Sequence, residues 1–269
     1  MLTKLRPTPD WDSITPEQFV EFRAAQDRLR RSVLLRPLTG RPDRAARIAD
    51  HTVDLPGRRL NVRVYRPELE SSPLPLVIAF HGGGLISGAP DQDDWLLAHL
   101  AVHTPAVVAS LDYRLAPEHP VPAPVQDAYE AVPRLVDSAA RWGADRDRLA
   151  LLGSSAGATL AALTAIRAAE LSLELRAQVL INPQLDWTDR AFEYPSFTEN
   201  ADSPTASRPN AALFRVSRSP NPSIAGRFHR CTAKDCRRSR RHSYWPPAWT
   251  RSRTSPRPTP TACAALVSR

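Results

Sequence analysis

With 269 residues, 42% of them hydrophobic, the chain can build one large α/β domain or two small ones around a sizeable core. No apolar run approaches the roughly 18 residues of a membrane span, and residues 1–12 carry charges and prolines where a secretory leader is apolar, so a cytoplasmic location is expected. The net charge of +8 would ordinarily point to an acidic or nucleic-acid partner, but residues 204–269 hold 13 Arg and Lys234 against the single acid Asp235, a net +13, while residues 1–203 sum to −5.

Taken in order, residues 1–50 predict a helical cap. Thr15 is placed as N-cap with Pro16 in the first helical position, and Phe19, Phe22, Ala25, Leu29 and Val33 recur at helical spacing to about Leu35. His51–Leu55 and Leu60–Tyr65 alternate apolar and polar residues around Pro56-Gly57, which predicts two antiparallel strands and a turn. Pro75–Phe80 is a continuous apolar run, expected of a strand buried on both faces, and it stops at His81-Gly82-Gly83-Gly84. A helix is expected over Asp93–His103, a buried strand over Ala106–Leu111, an extended loop over the proline-rich Tyr113–Pro124, and an amphipathic helix over Val125–Ala140. Leu149–Leu152 predicts a strand leading into Gly153-Ser154-Ser155-Ala156-Gly157, followed by an Ala-rich helix to Ala169 and a last strand, Ala177–Ile181, before Asn182-Pro183.

Strands alternating with helices predict right-handed crossovers and a mostly parallel sheet covered on both faces, with ligands bound beyond the strands' carboxyl ends. Both Gly-rich turns fall there. Strand, small-residue turn with a central serine, then helix is the layout of a nucleophile elbow, which makes Ser155 the candidate nucleophile. Acyl transfer also needs donors aimed at the oxygen that becomes negative. His81-Gly82-Gly83-Gly84 can supply them through the backbone N–H groups of Gly83 and Gly84, with Ala156 N–H at a helix start as a third. Alone, either turn could be a chance run of small residues; the pair, each at the end of a predicted strand, is far more specific.

These residues, with Asp112-Tyr113-Arg114-Leu115-Ala116-Pro117-Glu118-His119-Pro120, Gln126-Asp127-Ala128 and Asn182-Pro183, resemble in order and spacing the hormone-sensitive-lipase-like family of α/β-hydrolase carboxylesterases. The resemblance covers about residues 50–200. It implies an α/β-hydrolase fold with an N-terminal helical cap and a serine esterase acting on short-to-medium acyl esters, with no cofactor and no metal. It also implies Ser155 as nucleophile and an oxyanion hole at His81, Gly82, Gly83, Gly84 and Ala156. The Tyr113–Pro120 segment is structural in the family, so Glu118 and His119 are not expected in a triad. Ser154 stands where the family usually has Asp, and Leu85 where it usually has an aromatic.

Such a hydrolase needs an acid and then a histidine after the serine, in the family an Asp-Pro-Leu turn and a His-Gly turn. Past Ser155 the histidines are His229 and His242, neither followed by Gly, and the only acid beyond residue 203 is Asp235. A slip of reading frame between about residues 201 and 226 accounts for this gap, for the arginines, and for the confinement of Cys231, Cys236 and Cys263 to the same stretch. Reading the codons one base earlier forces Leu at the junction of Asp235 with Cys236 and of Tyr244 with Trp245, Ala at Trp245 with Pro246, and Asp at Trp249 with Thr250. The neighbouring codons can then complete a strand and a Val-Asp-Pro-Leu turn.

The expected organisation is therefore residues 1–50 as cap, 51–203 as an incomplete hydrolase core, and 204–269 as basic, out-of-frame and disordered sequence, with Ala177–Ile181 left as an uncovered apolar edge. The chain as written is expected to be nearly inactive. The competing readings are a non-catalytic hydrolase body binding polyanions through its Arg-rich tail, a zinc site at Cys231, Cys236, His229 and His242, and residues 15–35 as an amphipathic membrane anchor. The frame slip produces the same arginines from G/C-rich codons without any specific nucleic-acid partner.

Overall fold

The computed structural model describes residues 13–32, 40–68 and 73–185, together with residues 195 and 199. The expectations for residues 204–269, including the disordered tail and the Cys/His cluster, fall outside the described residues. Six strands form one sheet: β1 Ala46–Leu55, β2 Arg58–Pro67, β3 Leu74–Phe80, β4 Val107–Leu111, β5 Ala144–Ser154 and β6 Leu175–Ile181. Their order is β1-β2-β4-β3-β5-β6. β1 and β2 pair antiparallel about the Pro56-Gly57 turn and β2 runs antiparallel to β4, while β4, β3, β5 and β6 are mutually parallel. This is the mostly parallel sheet of the α/β-hydrolase fold.

Helices cover both faces because successive strand residues point to opposite sides. α2 (Asp94–His103) packs Leu97, Ala98 and Ala101 against Tyr65, Ala79, Val108 and Leu152. On the other face, α3 (Ala123–Asp137) and α4 (Ala156–Glu170) bury Ala128, Val132, Leu135 and Leu160 against Ile78, Ala109 and Leu151. The neighbours in sequence, 78 and 79, 108 and 109, 151 and 152, thus serve two separate cores. α3 begins at Ala123, inside the stretch predicted as loop, because a proline in the first turn needs no backbone donor. No helix among the described residues is long and apolar enough to cross a membrane.

α1 (Pro16–Arg30) opens with the expected cap: the Thr15 hydroxyl accepts from Gln18 N–H at 3.3 Å and the Gln18 side chain accepts from Thr15 N–H at 3.0 Å. It ends at Arg30 rather than near Leu35, closed by Arg31 N–H donating to the Asp27 carbonyl at 3.0 Å. Its apolar stripe is only partly used. Phe19 is buried against Ile86 and Ala116, whereas Leu29 is 40% exposed. Polar pins do much of the docking: Arg23 donates to the carbonyls of Ile86 and Ala116 at 3.0 Å each and pairs with Glu118, and Arg30 and Arg31 both hold Asp91 at 2.9 Å.

β6 is the outer strand among the described residues, with Val179 and Ile181 39–45% exposed. A strand this apolar is ordinarily buried on both faces in a parallel sheet. At the carboxyl end of β4 the carboxylate of Asp127, fully buried, accepts from Arg58 Nε at 2.7 Å, Arg114 N–H at 2.9 Å and Arg114 Nη2 at 2.8 Å. It ties α3, the β1–β2 hairpin and the segment after β4 into one unit. Removing one partner of a buried ionic cluster costs about 3–5 kcal/mol, and because both arginines retain some contact with water the lower end applies. Asp127→Ala is expected to destabilise the protein by about 3 kcal/mol, read as a lowered urea midpoint, with Asp127→Asn losing less.

Candidate active site

Register builds the site. β3 runs parallel to β5 with Phe80 opposite Gly153, so the residues leaving the two strands, 81–84 and 154–156, emerge side by side at the sheet's carboxyl end. Gly157, at the start of α4, then lets the helix approach the end of β3: a Cβ there would lie 2.2 Å from the Phe80 carbonyl oxygen and 2.3 Å from that of His81. No larger residue fits. Gly82 packs on the elbow less tightly: a Cβ there would lie 3.2 Å from the Ser154 carbonyl oxygen and 3.5 Å from Ser155 Cβ.

Ser155 sits between β5 and α4 at φ 51°, ψ −119°, a conformation that L-residues rarely adopt and that costs on the order of 1–3 kcal/mol. The surroundings over-determine it. Ser155 N–H donates to the Ile181 carbonyl at the end of β6 at 2.8 Å, and the Ser155 carbonyl accepts from Ala158 and Thr159 N–H at 3.0 and 3.3 Å. The strain lifts a half-buried hydroxyl off the end of the sheet, and no hydrogen bond to that hydroxyl is present among the described residues.

Gly83, at φ 131°, turns the chain so that its carbonyl accepts from Ile86 N–H at 3.1 Å, Ser87 N–H at 3.0 Å and Ser87 Oγ at 3.0 Å. The Gly83 carbonyl is thus satisfied within its own turn, while the His81 carbonyl accepts from the Tyr113 hydroxyl and the Gly82 carbonyl from Gln92 Nε2 at 3.2 Å. The N–H groups of Gly83, Gly84 and Ala156 donate to no group among the described residues. The loop therefore presents uncommitted donors beside a strained serine, at the positive end of α4. Leu85, also in the left-handed region at φ 62°, is buried beneath the loop and accepts from Ala116 N–H at 2.9 Å.

His81 is held away from acid-base work. Its ring stacks on Tyr113 with centroids 4.2 Å apart, the Tyr113 hydroxyl donates to the His81 carbonyl at 2.7 Å, and Nδ1–H donates to the Gly82 carbonyl at 2.9 Å. Burial depresses its pKa to about 4, and Nε2 has no partner among the described residues. The same burial pushes the Tyr113 hydroxyl up. Glu118 and His119 are not joined to Ser155, and Glu118 pairs with Arg23 of α1, a structural use consistent with the expectation for that segment. Nothing in the sequence pattern marks Arg23 and Arg58, whereas their partners Glu118 and Asp127, and Arg114 beside Asp127, fall within the Asp112–Pro120 and Gln126–Ala128 motifs.

Comparison with known proteins agrees with this architecture. A profile described as the alpha/beta hydrolase fold matches residues 77–237. The carboxylesterase NlhH of Mycobacterium tuberculosis is 40% identical over 166 residues, 60% of this chain and 50% of that protein, and the esterase LipI of the same organism is 38% identical over 161 residues, 59% of this chain and 49% of that protein. The chain thus spans about half the length of the curated relatives it matches. Among solved structures, an esterase of Pyrobaculum calidifontis superposes with a TM-score of 0.70 at 30% identity, covering 84% of this chain and 71% of that one. An ester hydrolase from the metagenome of Lake Arreo gives 0.69 at 30% identity, covering 82% and 66%.

The buried His81 makes stability depend on pH. Its folded pKa of about 4 lies below the ordinary 6.5, so below the ordinary value the unfolded chain binds a proton that the folded one refuses. Stability present at neutral pH is expected to fall by about 2 kcal/mol between about pH 7 and about pH 5. Asp93 and Asp112, whose carboxyls burial raises, act in the opposite sense. Urea midpoints across that window check the slope, which His81→Gln should flatten.

Proposed function

The chain belongs to the alpha/beta hydrolase fold family, and on that premise we propose that it is built for carboxylic-ester hydrolysis, with Ser155 as nucleophile and a small-molecule ester as substrate. The observation that carries the reading is Ser155 in its strained turn beside the uncommitted N–H groups of Gly83, Gly84 and Ala156. Ser155 Oγ attacks the ester carbonyl carbon, the carbonyl electron pair moves onto oxygen, and the three donors take up that charge where water cannot. Collapse of the adduct expels the alcohol and leaves an acyl-serine, which water then hydrolyses to the acid and free Ser155. The names of the relatives, esterase and carboxylesterase, support the reaction class.

The attack requires a base for the Ser155 proton. His81 is committed to Tyr113 and Gly82, and the written sequence after Ser155 offers only His229 and His242, neither in a His-Gly turn. The proposal accordingly includes the frame slip between about residues 201 and 226, with residues 204–269 carrying no part of the site. Losing the histidine of a serine triad alone costs on the order of 10⁶ in turnover.

The chain as written is expected to hydrolyse p-nitrophenyl acetate barely faster than its Ser155→Ala variant. A chain re-expressed from the neighbouring frame is expected to gain on the order of 10⁶ in turnover, all of it lost again on Ser155→Ala. Robust Ser155-dependent hydrolysis by the chain as written would sink the frame-slip part of the proposal, and an inert frame-corrected chain would sink the esterase part.

A further inference from the structure

We propose that Asp43, His99 and His103 form a surface site for a divalent transition-metal ion of the zinc class, which fastens the segment entering β1 to α2. His99 and His103 lie four residues apart near the end of α2, so their imidazoles project from one face, one turn apart. The rings touch, with centroids 4.0 Å apart at 31°. Asp43 arrives from the segment just before β1, and its Oδ2 lies 3.0 Å from His103 Nε2. One ligand atom from each of the three residues lies within 4.8 Å of the others.

The carboxylate is positioned before any metal arrives. Asp43 Oδ1 accepts from Ala45 N–H at 2.9 Å and the Asp43 carbonyl accepts from Ala46 N–H at 3.1 Å, which fixes the side chain's direction from its own turn. The segment is also packed on the helix: a Cβ on Gly40 would lie 3.1 Å from Trp95 Cβ.

An ion pair alone would need one histidine. Two imidazoles in contact beside one carboxylate instead match a two-nitrogen, one-oxygen donor set, which suits zinc, nickel or cobalt and leaves a fourth position for water. Bonds of about 2.0–2.1 Å place tetrahedral donors roughly 3.3–3.4 Å apart, so rotation of the two exposed histidines suffices to close the set. The site lies on α2, and its metal touches none of the elbow residues.

The test uses the full chain carrying Cys231→Ser, Cys236→Ser and Cys263→Ser, so that no tail thiolate competes. Calorimetric titration with zinc chloride is expected to show one site per chain, weakened by about tenfold or more in His99→Gln, in His103→Gln and in Asp43→Asn. Co²⁺ in its place is expected to give ligand-field bands without thiolate charge transfer. Far-UV circular dichroism checks that these surface variants stay folded. As a measurement that needs no variant, zinc is expected to slow amide exchange across residues 40–46. Zinc affinity unchanged in the doubly substituted His99→Gln/His103→Gln chain, no saturable binding at all, or no change in exchange over 40–46 would each overturn the proposal. Ser155→Ala should leave zinc binding intact, so this inference and the esterase reading fail separately.

Discussion

The close approach of α4 to the end of β3 is the constraint on which the site depends. Gly157 faces the Phe80 and His81 carbonyls at distances that no side chain could share, and the β3–β5 register places Phe80 opposite Gly153. Together these bring the His81–Gly84 loop to the serine. Backbone geometry, more than side-chain chemistry, makes the cradle: the Gly83 carbonyl turns inward to Ile86 and Ser87, and the N–H groups of Gly83 and Gly84 stay uncommitted among the described residues. Ser155 can be held in an unfavourable conformation because its N–H is tied to β6 and its carbonyl to α4. A strained residue persists only where both of its flanks are fixed, and here one flank depends on the outermost described strand.

Around this centre the fold relies on charge to an extent that its apolar stripes do not suggest. α1 buries Phe19 but is steered by Arg23, Arg30 and Arg31 onto carbonyls and carboxylates of the loops it covers. Asp127 does the same at the carboxyl end of β4, collecting Arg58 from the β1–β2 hairpin and Arg114 from the segment after β4. At the N-terminal end of α2, Asp94 receives Arg63 at 2.8 Å and the Tyr65 hydroxyl at 2.8 Å. Directional contacts of this kind fix loop positions that non-directional apolar burial would leave free to slide. That matters for a site assembled from loops.

β6 is the outermost of the described strands. β6 holds Ser155 N–H, yet Val179 and Ile181 on it face solvent. Parallel sheets are stable when both faces are covered, and an apolar outer strand is open to pairing with another chain. The nucleophile thus sits one strand away from the least protected part of the sheet. The α2 cluster of Asp43, His99 and His103 lies in a different setting, on the helix that packs against the well-buried core of Tyr65, Ala79 and Val108.

By itself the sequence determined the order and type of the elements, because strands buried on both faces read as unbroken apolar runs and the two Gly-rich turns mark where they end. It also singled out Ser155, Gly82, Gly83, Gly84 and Ala156, since only small residues permit such turns, with His81 marking the end of the strand before them, and it showed that no acid and histidine follow in the expected form. Tertiary structure alone decided that Phe80 lies opposite Gly153, that His81 is locked against Tyr113, that Leu29 is left exposed while Arg23 does the docking, and that Asp43 meets two histidines about 60 positions away. Periodicity reports which face of an element is apolar; it carries no record of which distant charge that face will meet, because such pairings are fixed only once the sheet has set the distances between its loops.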